Sequence, residues 1–368
     1  MAQNSQIDKT ERMPVYRQVG KLLRRRITKG ELAPGTQIPS ARDLCKEYNV
    51  AYGTVLRSLR VLRNEGLVTG TPCRGTFVTS RILSTKNIAV TVDRLFHEQE
   101  FACFERFLRS VSEGCAKTGF HVNLFELPDG SIFGSEQPTL LSKLIQDHEI
   151  SAVITASAAP LGDIERLARS GIPVVTNRDQ YPYTTALWVT EDVADGAKQL
   201  VDFIVGGLRH RRIGLVVGAK AEQTAKLIKP STLFMETVIN ELKNRGIKFD
   251  EKNLTCIDYR WMNVAPRIRE WLKSSNRPTA LIFYGDELAM QCLRLASELG
   301  LNVPQDLSIT GYSDSLPRSH MTSIYIPLEE MALEAVRMLE KMMDGARCSP
   351  KYFPAKLMIR QTCGLAPQ

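Results

Sequence analysis

From Asn87 onward the chain alternates short apolar, β-branched runs with amphipathic stretches, and no other feature of its 368 residues constrains the fold as much. Strand-like runs fall at 88–92, 122–127, 152–156, 172–175, 213–217, 254–259, 280–283 and 307–311. Helical stretches separate them, among them 102–118, 161–170, 193–206, 231–245, 264–274 and 287–299. Strands divided by helices imply an α/β fold of parallel sheets covered by helices. The roughly 280 residues involved exceed one comfortable core, which predicts two lobes. In such folds a ligand binds at the carboxyl ends of the strands, in a cleft between lobes.

Residues 14–80 read differently. Pro14 opens a segment with Val15, Val19, Leu22, Leu23 and Ile27 at helical spacing, and Gly30 with the ELAPG stretch ends it. Ser40 has the form of an N-cap, with Asp43 three residues on. A short helix to about Tyr48, a turn at Asn49-Val50 and a second helix from Ala51 to Asn64 follow, with Val55, Leu59 and Leu62 inward and Gly66 as the stop. β-prone residues 67–69 and 76–78 flank a turn from Gly70 to Gly75. Helix, helix, turn, helix and hairpin is the order of a winged helix-turn-helix.

Charge separates the same two regions. The formal net charge is +8; residues 1–80 hold 14 Lys and Arg against 6 Asp and Glu, and the remaining 288 residues hold 34 of each. A module for a polyanion needs such an excess, because released counterions drive phosphate binding, although a solvated basic surface would carry it too. The eight cysteines, at 45, 73, 103, 115, 256, 292, 348 and 363, form no C-x-x-C pair and do not cluster with histidine, so neither a metal site nor a disulfide framework is expected. Scattered thiols fit a reducing compartment. The opening MAQNSQIDKTER has no apolar core of a signal peptide, and no run of about 18 apolar residues suggests a membrane span, so a cytoplasmic protein is expected.

The stretch PVYRQVGKLLRRRITKGELAPGTQIPSARDLCKEYNVAYGTVLRSLRVLRNEGLVTGTPCRGTFV, at about residues 14–79, resembles the winged-helix domain of the GntR family: GELAPGTQIPSARDL, TVLRSLRVLRNEGLV and RGTFV occur in order at the family's distances. The resemblance implies that Arg42, beside Ser40 at the start of the preceding helix, touches DNA. A recognition helix enters the major groove N-terminus first, which directs Ala51, Tyr52, Gly53, Thr54 and Arg57 to bases or nearby phosphates. The wing tip, Thr71 to Gly75, would lie in the minor groove or along phosphates, with Arg74, Gly75 and Thr76 as its contacts. Arg24-Arg25-Arg26 reads as a solvated face of a supporting helix. The chain departs from the family at Tyr52 and Leu56, where arginine is common, and at Cys73, where glycine is usual. Tyrosine at 52 can meet a phosphate or a thymine methyl but cannot pair with guanine as arginine does.

Residues 87–363 resemble the LacI/periplasmic-binding-protein core, most strongly over PTALIFYGDELAMQCLRLASELGLNVPQDLSITGYSDS (278–315), with weaker matches at ISAVITAS, SGIPVVTNR, TEDVADGAKQLVDFIVGGLRHRRIGLVVG and LMIRQTCG. A GntR head on a LacI-like sensor is an arabinose-repressor type of architecture. The resemblance implies that Asp286 takes ligand hydroxyls or amines, that Tyr259 packs against the ligand ring and that Phe104 stacks from the first lobe; Arg178 follows a strand and could reach the cleft. Each has a plainer role open to it: helix N-cap for Asp286, exposed strand-end tyrosine for Tyr259, core packing for Phe104 and surface charge for Arg178. Where the family aims an arginine at the ligand this chain reads KLIKPSTLFM, with Pro230 at the expected place and only Lys229 basic nearby.

Catalytic patterns are missing. There is no G-x-S-x-G and no Walker A motif, and the histidines at 97, 121, 148, 210 and 320 lack metal spacing. The 288 residues behind the head are too few for a pyridoxal-phosphate aminotransferase body. The expectation is therefore a regulator rather than an enzyme, with no cofactor or metal: residues 1–80 a winged helix-turn-helix, 81–86 a linker, and 87–368 a two-lobed effector-binding and dimerisation domain. Its partners would be a double-stranded operator, a small effector such as a sugar, and a second copy of itself.

Overall fold

The computed structural model describes residues 7, 13–28, 31–33, 35–64, 67–71, 75–78, 86–93, 101–127, 130–134, 137–147, 149–218, 227–257, 265–315 and 320–367. Apolar side chains four residues apart turn one face of α1 (Val15–Thr28) inward, and Val19, Leu23 and Ile27 are wholly buried. The Ser40 hydroxyl accepts the Asp43 backbone N–H at 3.2 Å and starts α2 (Ala41–Tyr48); Asn49, at φ 51°, ends it in the left-handed conformation. α3 (Tyr52–Asn64) buries Val55, Leu59 and Leu62, and Ser58 Oγ lies 2.7 Å from the Tyr16 carbonyl, tying α3 to α1. β1 (Val68–Thr71) and β2 (Gly75–Val78) pair antiparallel as the wing. Gly75 has φ +106°, and a Cβ there would fall 2.5 Å from the Gln37 amide nitrogen, so the returning strand needs glycine.

Two parallel sheets follow. The first lobe contains β3 (Asn87–Asp93), α4 (Phe101–Thr118), β4 (His121–Leu127), α5 (Leu140–Gln146), β5 (Ala152–Thr155), α6 (Leu161–Arg169), β6 (Val174–Asn177) and β7 (Leu187–Glu191). The second contains α7 (Val193–Val201), which continues as a π-helical turn over Asp202–Gly207, then β8 (Ile213–Gly218), α8 (Pro230–Asn244), β9 (Leu254–Ile257), α9 (Ala265–Lys273), β10 (Ala280–Phe283), α10 (Asp286–Glu298) and β11 (Ser308–Thr310). The chain then returns through β12 (Ser323–Tyr325) to α11 (Leu328–Met343), which packs on α4 and on β5 to β7, and to β13 (Lys351–Phe353); β14 (Lys356–Met358) pairs with β12. The first sheet runs β13-β7-β6-β5-β3-β4 and the second β11-β10-β8-β9, every neighbouring pair parallel. The chain thus passes between lobes after Glu191, through 311–327 and after Phe353.

The alternating pattern places most of these strands within two residues. β6 is displaced furthest, starting at Val174 rather than 172, because Pro173 has no N–H for the ladder; its carbonyl instead accepts from Val153 at 2.9 Å. β7 and β12 to β14 fall outside the predicted runs. The last three are only three residues each, too short to show a period. One apolar cluster runs continuously from Ile88 and Val90 in the first lobe to Leu215 and Phe234 in the second.

His210 closes the second lobe at its far end. It is wholly buried, with Nδ1 2.9 Å from Thr279 Oγ1 and Nε2 2.9 Å from Ser308 Oγ and 3.0 Å from the Gly364 carbonyl. Burial lowers its pKa, so the ring is neutral, with Nε2–H donating to Gly364. Replacing it strands buried hydroxyls and a carbonyl, so His210→Ala should cost roughly 2–4 kcal/mol in urea denaturation. The unfolded chain binds the proton more readily, so this contribution is present above about pH 6.5 and lost as pH falls below it. Acid destabilisation between pH 7 and 5 should accordingly be smaller in the variant.

Candidate nucleic-acid interface and effector cleft

The head exposes one side of α3. Ala51, Tyr52, Gly53 and Arg57 are exposed there and Thr54 is half-buried; Ser40 and Arg42 are exposed at the start of α2, and Gly75 is exposed and Thr76 half-buried on the wing. Arg74 and Cys73 lie outside the described residues. The structure therefore brings the described members of the expected contact set to the surface, on the two helices and the wing of one small unit. The Ser40 hydroxyl also lies 2.5 Å from the Asp43 carboxylate, so it first serves its own helix. The Arg57 guanidinium stacks over the Tyr16 ring at 4.3 Å, a cation–π contact that holds a flexible cation at the N-terminal half of α3. In the arginine run of α1, Arg26 donates to Glu47 at 2.8 Å and to the Tyr48 hydroxyl at 3.1 Å and braces α1 against α2.

The candidate cleft lies at strand ends of the first lobe, beside the point where Arg178 reaches Tyr284 of the second. A cavity of ≈ 10 Å³, about the size of one water, is lined by Cys103, Phe104, Phe107, Ala156, Asn177, Arg178 and Leu328. Phe104 and Arg178 thus line one cavity. Asn177, which pattern reading passed over, closes β6 beside them; its Nδ2 donates to the Ala156 carbonyl at 3.3 Å while its buried Oδ1 has no partner among the described residues. A buried oxygen without a donor is a place for a ligand hydroxyl. The strand-end rule would have found it one residue before Arg178.

Arg178 is the centre of a polar knot. It sits at φ 71°, uncommon for a side chain with a Cβ, and its Nη2 donates to Glu191 Oε1 at 2.7 Å while Nε lies 3.1 Å from Oε2. Glu191 has no exposed side-chain surface and ends β7 where the chain leaves the first lobe. From the second lobe Tyr284, at the end of β10, accepts from Arg178 Nη2 at 2.5 Å, and from the crossover Tyr312 donates to Glu191 Oε1 at 3.2 Å. The two tyrosine rings stack at 4.7 Å, with Phe234 of α8 against both at 5.1 and 4.9 Å. Burial and the Glu191 carboxylate hold the Tyr312 hydroxyl well above the usual tyrosine range, so it stays a donor. At the rim, Gln180 and Ile228 exchange both backbone hydrogen bonds across the lobes, at 3.1 and 3.0 Å. Asp179 is buried between them; burial pushes its carboxyl up to about 6 against the pull of Lys229 and Arg178.

Pro230, at the place of the family's arginine, is the first residue of α8, and the guanidinium that lines the cavity is that of Arg178 in the first lobe. Asp286 is likewise the first residue of α10, with Gly285 before it, and makes no side-chain cap. Its carboxylate turns to the crossover, accepting from the Ser315 N–H at 2.6 Å, Ser315 Oγ at 3.1 Å and Ser323 Oγ at 2.6 Å. Burial raises its pKa to about 6. Asp286 does not line the Phe104–Asn177–Arg178 cavity, and Tyr259 lies outside the described residues.

A winged helix-turn-helix with an exposed recognition helix, followed by two parallel-sheet lobes joined by crossovers, defines a DNA-binding transcription regulator with a sensor domain. The chain joins a helix-turn-helix domain of the GntR type to a periplasmic-binding-protein-like domain. Residues 15–78 match the family described as bacterial regulatory proteins, gntR family, and residues 206–363 match the periplasmic binding protein-like domain. The arabinose metabolism transcriptional repressor of Halalkalibacterium halodurans is 27% identical over 360 residues, covering 90% of each chain. The protein of the same name from Geobacillus stearothermophilus is 24% identical, covering 91% of this chain and 93% of its own. In fold, the core is similar to a LacI family transcriptional regulator from Enterococcus faecium solved with bound ribose, at a TM-score of 0.61 and 20% identity, covering 76% of this chain and 98% of that one. Among the described residues no helix is long and apolar enough to cross a membrane.

The knot makes a direct prediction. Arg178→Met leaves Glu191 buried without a counter-charge and should cost roughly 3–5 kcal/mol in thermal or urea denaturation, and adding Glu191→Met should recover most of it. Equal stability of wild type and Arg178→Met would show that the two groups do not form a buried pair.

Proposed function

We propose that this protein is a repressor whose head, residues 1–80, is carried through the linker 81–86 by a two-lobed domain, residues 87–368, that binds a sugar and pairs with a second copy. Two heads in a homodimer read a pseudo-palindromic operator in the cytoplasm, and the sugar, by drawing the lobes together, changes the spacing of the heads and releases the DNA. The observation that carries this reading is the fusion itself: the whole net positive charge and an exposed recognition helix at the front, and converging strand ends behind. Arg42, Arg57 and Arg74 meet phosphates, with Ser40, Ala51, Tyr52, Gly53, Thr54, Gly75 and Thr76 beside them.

In the cleft, Phe104 supplies an apolar face and Asn177 a free acceptor, with Arg178 and Tyr259 alongside. Asp286 accepts three hydrogen bonds and, with about four lone-pair sites, keeps room for one ligand hydroxyl. The names of the two arabinose repressors make L-arabinose the first sugar to try.

The chemistry is binding and release, with no bond made or broken.

Two measurements test this reading. Affinity of the full chain for duplex DNA should fall steeply with salt, and Arg42→Ala and Arg74→Ala should each weaken it and lower the salt slope by about 1. A flat salt dependence contradicts the DNA assignment. L-arabinose at ~100 times its Kd should raise the stability of the wild type by about 2.7 kcal/mol and leave Asn177→Leu unmoved. An equal rise in both would place the sugar elsewhere.

A further inference from the structure

Among the described residues eight large hydrophobic side chains are exposed, and two of them, Tyr52 at 53% and Leu56 at 44%, lie one turn apart on α3. Residues four apart on a helix are neighbours on its surface. Ala51 and Gly53, also exposed, flank them, so the start of the recognition helix offers solvent a small apolar patch, edged by the half-buried Thr54 and the exposed Arg57. The patch has a sharp electrostatic boundary. The exposed residues that follow on the same helix are Arg57, Arg60 and Arg63, and α3 contains no acidic residue.

Cationic surroundings of this kind point to a polyanion rather than to an apolar protein face. On duplex DNA the arginines suit the phosphates, and the patch faces the floor of the major groove, where the one apolar group on a base edge is the C5-methyl of thymine.

We propose that Tyr52 and Leu56 are specificity-determining residues that together grip thymine methyl groups, so that each operator half-site is read by shape and methyl contact rather than by an arginine–guanine pair. The proposal rests on the DNA-binding reading of the head and goes beyond it by naming what α3 reads. Leu56 has no donor or acceptor and can contribute only by burying apolar surface, and Ala51 adds a methyl of its own at the edge of the patch.

The test uses the full chain. A duplex is first selected from a random-sequence library with the wild-type protein; its thymines are then replaced one at a time by deoxyuridine, which removes the methyl and leaves every hydrogen-bonding group. At two or more half-site positions wild-type binding should weaken by roughly fourfold per methyl, the worth of one buried methyl group. Tyr52→Ala and Leu56→Ala should bind the parent duplex more weakly and lose the sensitivity to deoxyuridine at their own position. Both side chains are exposed, so the variants keep the core of the head intact. Wild-type binding that ignores every deoxyuridine, alongside salt-dependent affinity for the parent duplex, overturns the proposal and leaves the DNA-binding reading standing. A Leu56→Ala protein that keeps its methyl sensitivity but sediments as a smaller species also overturns it, because the patch would then cover a second copy. Failure to enrich any duplex, with no salt-dependent DNA binding, overturns both.

Discussion

Glu191 is a carboxylate with no exposed surface at the point where the chain leaves its first lobe, and the arrangement of the two lobes depends on how that charge is neutralised. A lone buried carboxylate is costly, and its partner must offer more than one hydrogen bond. Arg178 does so with a two-pronged contact and extends the same guanidinium to Tyr284 of the opposite lobe, while Tyr312 of the crossover completes the shell around Glu191. One ion pair therefore touches both sheets and a connecting segment. The aromatic rings of Phe234, Tyr284 and Tyr312 pack beneath it, so moving one lobe against the other must rearrange polar and apolar contacts together. Packed groups of this kind favour a few discrete arrangements over continuous bending, which a sensor requires.

The cavity lies on the same guanidinium. Asn177 and Phe104 share its lining with Arg178, so a molecule satisfying the Asn177 oxygen would sit against the group that links the lobes. A second tie runs through Asp286, which is bonded to Ser315 and Ser323 of the crossover from the start of α10. Next to it, Asp314 receives both prongs of Arg360 at 2.7 and 2.9 Å, and Arg106 of α4 clasps Glu329 of α11 at 2.7 and 3.0 Å. The segment that joins the lobes is thus held at Asp314 from two directions, by its ion pair with Arg360 and by Arg106 Nη1 of α4, which donates to the Asp314 carbonyl at 3.3 Å.

Local physics made the head and most of the strands legible in sequence. The Ser40 cap, the inward spacing of Val19, Leu23 and Ile27, and the β-branched runs of β3, β8 and β10 are all short-range signals. The cleft was legible only in part. Phe104 and Arg178 stand on elements that pattern and resemblance place, but Tyr284 is 106 residues from Arg178 and Tyr312 is 121 from Glu191, and no periodicity encodes such pairings. Asp286 shows the same limit. An aspartate at a strand-to-helix junction reads as a cap or a ligand group, while its observed hydrogen bonds run to serines 29 and 37 residues downstream. On the recognition helix the unusual residues were visible as departures, and it took the fold to show Tyr52 and Leu56 side by side and exposed.

The central claim is that cleft and head are linked through the lobes, and linkage must be reciprocal. The direct measurement is the dissociation constant of the full chain for its selected duplex with and without saturating L-arabinose, beside that of the sugar with and without saturating duplex. The account predicts that each ligand weakens the other by the same factor, between roughly 5- and 150-fold for a typical coupling. A duplex affinity that the bound sugar leaves unchanged would contradict it.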